Sequence, residues 1–161
     1  MIVDTTISLD QIDLSILRHM QKNARISNKD LASELGLAPS AVLERVKKLE
    51  KKNVITGYVA SVNPDAVDLK LLAFISMKSS NKVGCTDTAN ELAKIPEVLE
   101  VHVIAGEDCY LVKVRTRDSA SLMGLMRNSF SSIPNLTSIR TTIVLETIKE
   151  QQHLVIPETK S

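Results

Sequence analysis

The segment from Ser27 to Val46, SNKDLASELGLAPSAVLERV, leaves little choice of local structure, because its capping signals write out two short helices joined by a tight turn. Ser27 can cap the first, with Asp30 at the third helical position as a carboxylate form of the capping box and Ile26 placed to staple onto Leu31. Leu31 and Leu35 share one face, and Gly36 stands where a left-handed residue ends a helix. Pro39 fits the first position of the next helix, where a missing N–H is no loss.

The second helix puts Val42, Val46 and Leu49 in one apolar stripe, with Ser40, Glu44, Lys47, Lys48 and Lys51 on the opposite side. One side packs and the other faces outward with a basic bias. A B-DNA major groove admits such a helix, with Ser40, Ala41, Glu44 and Arg45 near base edges and Lys47, Lys48 and Lys51 near phosphates. Ser27 and Asn28, at the start of the preceding helix, join the candidate DNA contacts. A solvated helix in an ordinary bundle would carry similar charges. A third helix upstream favours the DNA reading: Asp10 can cap it, Asp13 takes the third position, Leu9 can staple onto Leu14, and Ile16, Leu17 and Met20 continue its apolar face. Three short helices with a basic last member describe a helix-turn-helix. The β-rich run Val54 to Ala60 after Asn53 predicts a strand, hence a winged or strand-extended variety.

With 161 residues, a mean hydropathy of +0.03 and 43% hydrophobic residues, the chain has room for one ordinary or two small globular domains. No apolar run reaches the roughly 18 residues that span a bilayer, and the first eight residues lack a basic, apolar leader pattern. Cys85 and Cys109 are too few for a zinc knuckle or a disulfide scaffold, so a reducing cytoplasm is expected, with association to the nucleoid. Net charge is only +1; up to Asn63 nine basic residues face seven acidic ones, and Lys47 to Lys52 is the dense cluster. So few phosphate contacts imply weak binding by a monomer, and useful affinity calls for two or more reading heads.

Asn63-Pro64-Asp65 signals a turn, after which helical periodicity gives way to strands alternating with helices. The expected organisation is a DNA-binding domain over residues 1–60, a hinge over 61–70 and a second domain over 71–161. Strands are expected at 71–78, 98–105, 110–117 and 136–148, and helices at 86–95 and 118–133, giving βαββαβ. Ile95-Pro96-Glu97-Val98 is echoed by Ile133-Pro134-Asn135-Leu136, as two copies of one unit would be. The whole chain is therefore α+β, with a winged-type helix-turn-helix and a ferredoxin-like C-terminal domain. The helices can supply Leu92, Ile95, Leu122, Leu125, Met126 and Ile133 to a core. Leu72 and Phe74, with Val144 and Ile148, lie on the other sheet face, which needs cover from a second copy by sheet stacking or from this chain's own N-terminal domain.

The residues LDQIDLSILRHMQKNARIS, SAVLERVKKLEKKNVITGYVA, GEDCYLVKV and TTIVLETIKE resemble the leucine-responsive/asparagine-responsive (Lrp/AsnC, feast/famine) family of prokaryotic transcriptional regulators, over residues 9–154. The resemblance implies sheet-mediated dimers, commonly four in a ring around which DNA can wrap, and an amino-acid effector bound between subunits near the turn after the second strand of the sensing domain. Here that turn is Ala105, Gly106, Glu107, Asp108 and Cys109. Gly106 permits close approach, free N–H groups suit a carboxylate, and Glu107 or Asp108 suits an ammonium. A plain hairpin turn is the alternative for these residues. Ala38 stands where the family often has a Ser cap, Asn53 where it usually has Gly, and Cys109 where it has an aromatic residue or Asp. Residues 1–8 and 157–161 lie outside the pattern.

Other functions fit less well. A catalytic Cys109–His102 pair lacks an evident orienting group, no His or carboxylate spacing suggests a metal or cofactor, and four aromatic residues are too few for RNA stacking on the sheet. The expected partners are duplex DNA, an amino acid or similar small molecule, and further copies of this chain. An architectural DNA-wrapping protein that ignores small molecules is the alternative.

Overall fold

The computed structural model describes residues 8–80, 86–151 and 153–157. Cys85 and most of the two termini set apart in the sequence lie outside the described residues. The chain forms two compact units, the first reaching Ala60 and taking in the segment from Glu150 onward, the second Ser61–Lys149.

In the first unit α1 (Gln11–Lys22), α2 (Asn28–Leu35) and α3 (Pro39–Lys51) enclose Ile16, Leu31, Ala32, Val42, Val46 and Leu49. The caps carry out what the sequence specifies. The Asp10 side chain accepts the Asp13 backbone N–H at 2.8 Å, and Asp13 returns the bond to the Asp10 N–H at 3.3 Å. Ser27 accepts the Asp30 backbone N–H at 3.1 Å and gives its own hydroxyl to the Asp30 carboxylate at 2.6 Å. Gly36 adopts φ 65° and ψ 35°, and Pro39 opens α3 behind Ala38, which makes no side-chain cap. Asn53 follows α3 at φ 56°.

Residues 54–60 do not form the expected strand. The N–H groups of Val54 and Ile55 both donate to the Leu49 carbonyl, at 2.9 and 3.3 Å, which folds these two side chains onto the helical core. Among the described residues of this unit the rest of the run finds no second strand with which to build a ladder, so β propensity alone does not make it one. The C-terminal boundary also differs. The Gln21 side-chain amide donates to the Leu154 carbonyl at 3.0 Å and accepts the Leu154 N–H at 2.7 Å, and Arg18 donates to the Pro157 carbonyl at 3.3 Å. The tail therefore packs on α1 instead of extending the second unit.

The second unit follows the order β1 (Leu71–Ser79), α4 (Asp87–Leu92), β2 (Val98–Val103), β3 (Tyr110–Thr116), α5 (Ser119–Asn128), β4 (Leu136–Ile143). Its antiparallel sheet has the strand order β2-β3-β1-β4, the split βαβ arrangement expected. Several elements are shorter than their apolar patterns. β4 stops at Ile143 instead of running to Ile148 because its neighbour, β1, begins at Leu71; Val144 donates to the Leu72 carbonyl at 2.9 Å, and one residue of β1 lies beyond that bond. The expected long helix over 118–133 breaks at Ser129, and Phe130–Ser132 form a 3₁₀ turn in which the Ser132 hydroxyl donates back to the Ser129 carbonyl at 2.7 Å. Tightening that turn places Phe130 fully inside the core.

The helix-covered sheet face carries Ala73, Ile75 and Met77 of β1 against Tyr110, Val112 and Val114 of β3, closed over by Leu92, Leu122, Leu125, Phe130 and Ile133. The opposite face is mixed instead of uniformly apolar. Leu72 is buried and Phe74 and Leu111 are half-buried, but register sets Arg115 and Lys113 beside Leu72 and Phe74, and Arg140 beside Ser76. At the far edge Glu100 accepts from Lys113 at 3.0 Å and meets His102 at 3.1 Å.

Candidate functional site

Helix α3 separates its side chains by role. Val42, Val46 and Leu49 are buried, while Ser40, Glu44, Lys47, Lys48 and Lys51 are exposed and Ala41 is half-buried. No side-chain cap bond holds the N-terminus of α3, and that end presents the short residues Ser40 and Ala41. Asn28 and Lys47 border a shallow groove with Leu43, Glu50 and Tyr58, so the start of α2 and the middle of α3 share one surface. The Tyr58 hydroxyl donates to Glu50 at 2.8 Å, and burial together with that carboxylate pushes its pKa up to about 12.

Arg45 stands apart from the other α3 cations. Its guanidinium donates to Asp10 at 2.6 Å and to Asp13 at 2.7 Å, and the Asp13 side chain is only 8% exposed. The Asp13 backbone N–H and then Arg45 hold the Asp10 carboxyl below its ordinary range, and the same two carboxylates raise Arg45. Arg45 thus binds α3 to the capping box of α1, and it would have to give up two ion pairs to reach a base. Ser27 is likewise engaged as the α2 cap, while Asn28 is exposed. His19 links α1 to α2, with Nδ1 on the Ser15 carbonyl at 2.7 Å and Nε2 on Glu34 at 2.9 Å.

In the second unit the β2–β3 connection carries Ala105, Gly106 and Glu107 exposed, with Asp108 and Cys109 half-buried. Its ends are fixed by backbone bonds, Ile104 N–H to Cys109 at 3.0 Å and Cys109 N–H to Met77 at 2.9 Å. Gly106 takes φ 150°, a conformation that side-chain-bearing residues rarely adopt, and the space a Cβ would enter is open. Glu107 pairs with Lys78 at 2.9 Å and Asp108 with Arg140 at 2.5 Å. Lys78 holds the Glu107 carboxyl below its usual range, and Glu107 in turn raises Lys78. Neither cation stands out in the sequence. Lys78 and Arg140 reach the turn from β1 and β4, and only the register of the sheet shows it. The Cys109 thiol lies 3.8 Å from the Ser79 carbonyl while His102 engages Glu100, so each has a partner other than the one the catalytic pairing required.

Among the described residues no group of three or more His, Cys, Asp or Glu is placed to hold a metal, and no helix is long and apolar enough to cross a membrane.

Comparison with known proteins agrees with both halves. Residues 9–56 match a model described as a winged helix-turn-helix DNA-binding domain, and residues 71–154 match the Lrp/AsnC ligand binding domain. The leucine-responsive regulatory protein of Haemophilus influenzae is 37% identical over 153 residues, covering 92% of this chain and 91% of that protein. Its counterpart in Escherichia coli K12 is 36% identical, with 92% of each chain covered. Among solved structures, a transcriptional regulator of Neisseria meningitidis in complex with L-methionine superposes with a TM-score of 0.84 at 31% identity, covering 92% of this chain and 97% of that one. A feast or famine regulatory protein of Mycobacterium tuberculosis, also complexed with L-methionine, gives 0.85 at 33% identity, covering 93% and 100%. With a winged helix-turn-helix match over its first part, a ligand-binding-domain match over its second and relatives of this identity along nearly its whole length, the chain belongs to the Lrp/AsnC family of DNA-binding transcriptional regulators.

Proposed function

We propose that this regulator reads duplex DNA through α3 and adjusts that reading when a free amino acid binds the turn of residues 105–109. Ser40, Ala41 and Glu44 face base edges, Lys47, Lys48 and Lys51 meet phosphates, and Ser27 and Asn28 place the start of α2 against the backbone. Arg45 serves as the post that holds α3 at its angle to α1. Two or more copies act together, because a single head with so few exposed cations binds weakly at physiological salt.

The observation that carries the effector reading is that two relatives matching nearly the whole chain were solved with L-methionine bound. It favours a ligand-responsive regulator over an architectural protein that ignores small molecules. An effector that binds two assembly states or head spacings unequally shifts DNA affinity by that difference. The test is fluorescence anisotropy on labelled genomic fragments, with each of the twenty amino acids added in turn. At least one is expected to change the affinity severalfold; twenty unchanged isotherms would leave the architectural reading in its place.

A further inference from the structure

Arg140 lies on the open face of β4 beside Ser76 of β1, and its side chain spans that strand to reach the β2–β3 turn. The two ends of its ion pair differ. The Asp108 side chain is 10% exposed, whereas Arg140 is 65% exposed. Next to them Glu107, 80% exposed, holds Lys78. The pairs adjoin, since Arg140 acts electrostatically on Lys78 and on Glu107, and Asp108 acts on Lys78. Two cations and two anions therefore meet at one end of the sheet, with the more sheltered carboxylate already neutralised.

This arrangement limits what can bind. A ligand with only an ammonium must take Asp108 from Arg140 and leave the guanidinium without its anion. A ligand with only a carboxylate can take Arg140, but it strips the cation from the Asp108 side chain, the most sheltered charge of the four, which costs more than unpairing an exposed one. A zwitterion meets both demands, because its ammonium replaces the guanidinium on Asp108 while its carboxylate replaces Asp108 on the guanidinium. One ion pair becomes two, and no charge is left unpaired. The planar fork of arginine suits a carboxylate bidentately, which an ammonium on a flexible stem does not match.

We propose that Arg140 is the specificity-determining residue of the effector turn, selecting free amino acids by exchanging its Asp108 partner for the ligand's α-carboxylate. This rests on the reading of residues 105–109 as the effector site. It also implies that binding parts the turn from β4, the strand that now holds it.

The test is isothermal titration of the full chain, after a thermal-shift screen of the twenty amino acids has picked the strongest binder. That amino acid, its carboxamide and its N-acetyl form are titrated into wild type, Arg140→Gln and Arg140→Lys, with ligand-free melting curves confirming that each variant folds. In wild type the free amino acid is expected to bind at least tenfold more tightly than either derivative. Arg140→Gln should lose at least tenfold for the free amino acid while its affinity for the carboxamide holds or improves, and Arg140→Lys should fall between. If wild type binds an amino acid and Arg140→Gln keeps the full preference over the carboxamide, this assignment is wrong while the effector reading stands. If none of the twenty binds wild type, both fall.

Discussion

Arg45 and Lys48 belong to the same helix and carry the same charge, yet substitution should separate them cleanly. Removing the Arg45 side chain strips two carboxylates, one of them nearly buried, of their cation. Arg45→Ala is therefore expected to cost about 1–3 kcal/mol of folding stability. Lys48 is exposed, so Lys48→Ala should leave stability within about 0.5 kcal/mol while weakening DNA binding. Thermal melts and DNA titrations of the two variants check the contrast. Asp10 adds a pH dependence. Its carboxyl lies below the ordinary range in the folded chain, so the folded state holds fewer protons than the unfolded state near pH 4. The stabilisation is present above the unfolded value and is lost as pH falls through the folded one. Asp10→Asn should flatten the acid limb of the stability curve below about pH 4. An unchanged limb would mean that other carboxyls set it.

At the level of elements, the signals that proved readable are local ones. Asp10 with Asp13 through a capping box, Pro39 through its fixed φ, and Gly36 and Asn53 through a left-handed conformation each fix a helix end locally, so a single sequence suffices to place α1, α2 and α3. Strand lengths depend on a partner far along the chain. The run 144–148 reads as strand by composition, but β1 begins at Leu71 and gives all but its first residues nothing to pair with. The same limit hides Arg140 and Lys78, whose contact with the turn exists only once register is set, and it hides the return of the tail to Gln21. The family resemblance pointed to the turn of residues 105–109, and the sheet register brings Lys78 and Arg140 to it. Gly106 tests that turn directly. Because its φ is 150° and the space around it is open, Gly106→Val should fold with a modest loss of melting temperature and should block amino-acid response by filling that space. A normal response in a folded Gly106→Val protein would move the site elsewhere.

For the whole molecule, the charge balance decides how binding must be organised. A net charge of +1 gives no general attraction to DNA, and the proposed reading therefore draws its affinity from a few lysines on more than one copy. On the proposed reading the open sheet face, with Phe74 and Leu111 beside Lys113 and Arg115, would give a second copy an apolar centre edged by charge. Light scattering on the full chain is expected to give a mass of at least a dimer, and Phe74→Glu should lower that mass and weaken DNA binding together. A monomeric mass for the wild-type chain at DNA-binding concentrations would contradict the multivalent account.

The most direct trial is the salt dependence of DNA affinity, compared between wild type and the double variant Lys47→Ala/Lys48→Ala. If α3 lies in the groove with these lysines on phosphates, the double variant binds every sequence more weakly, and its plot of log affinity against log salt is shallower by about two for each reading head. Superimposable lines for the two proteins would show that α3 does not face the DNA.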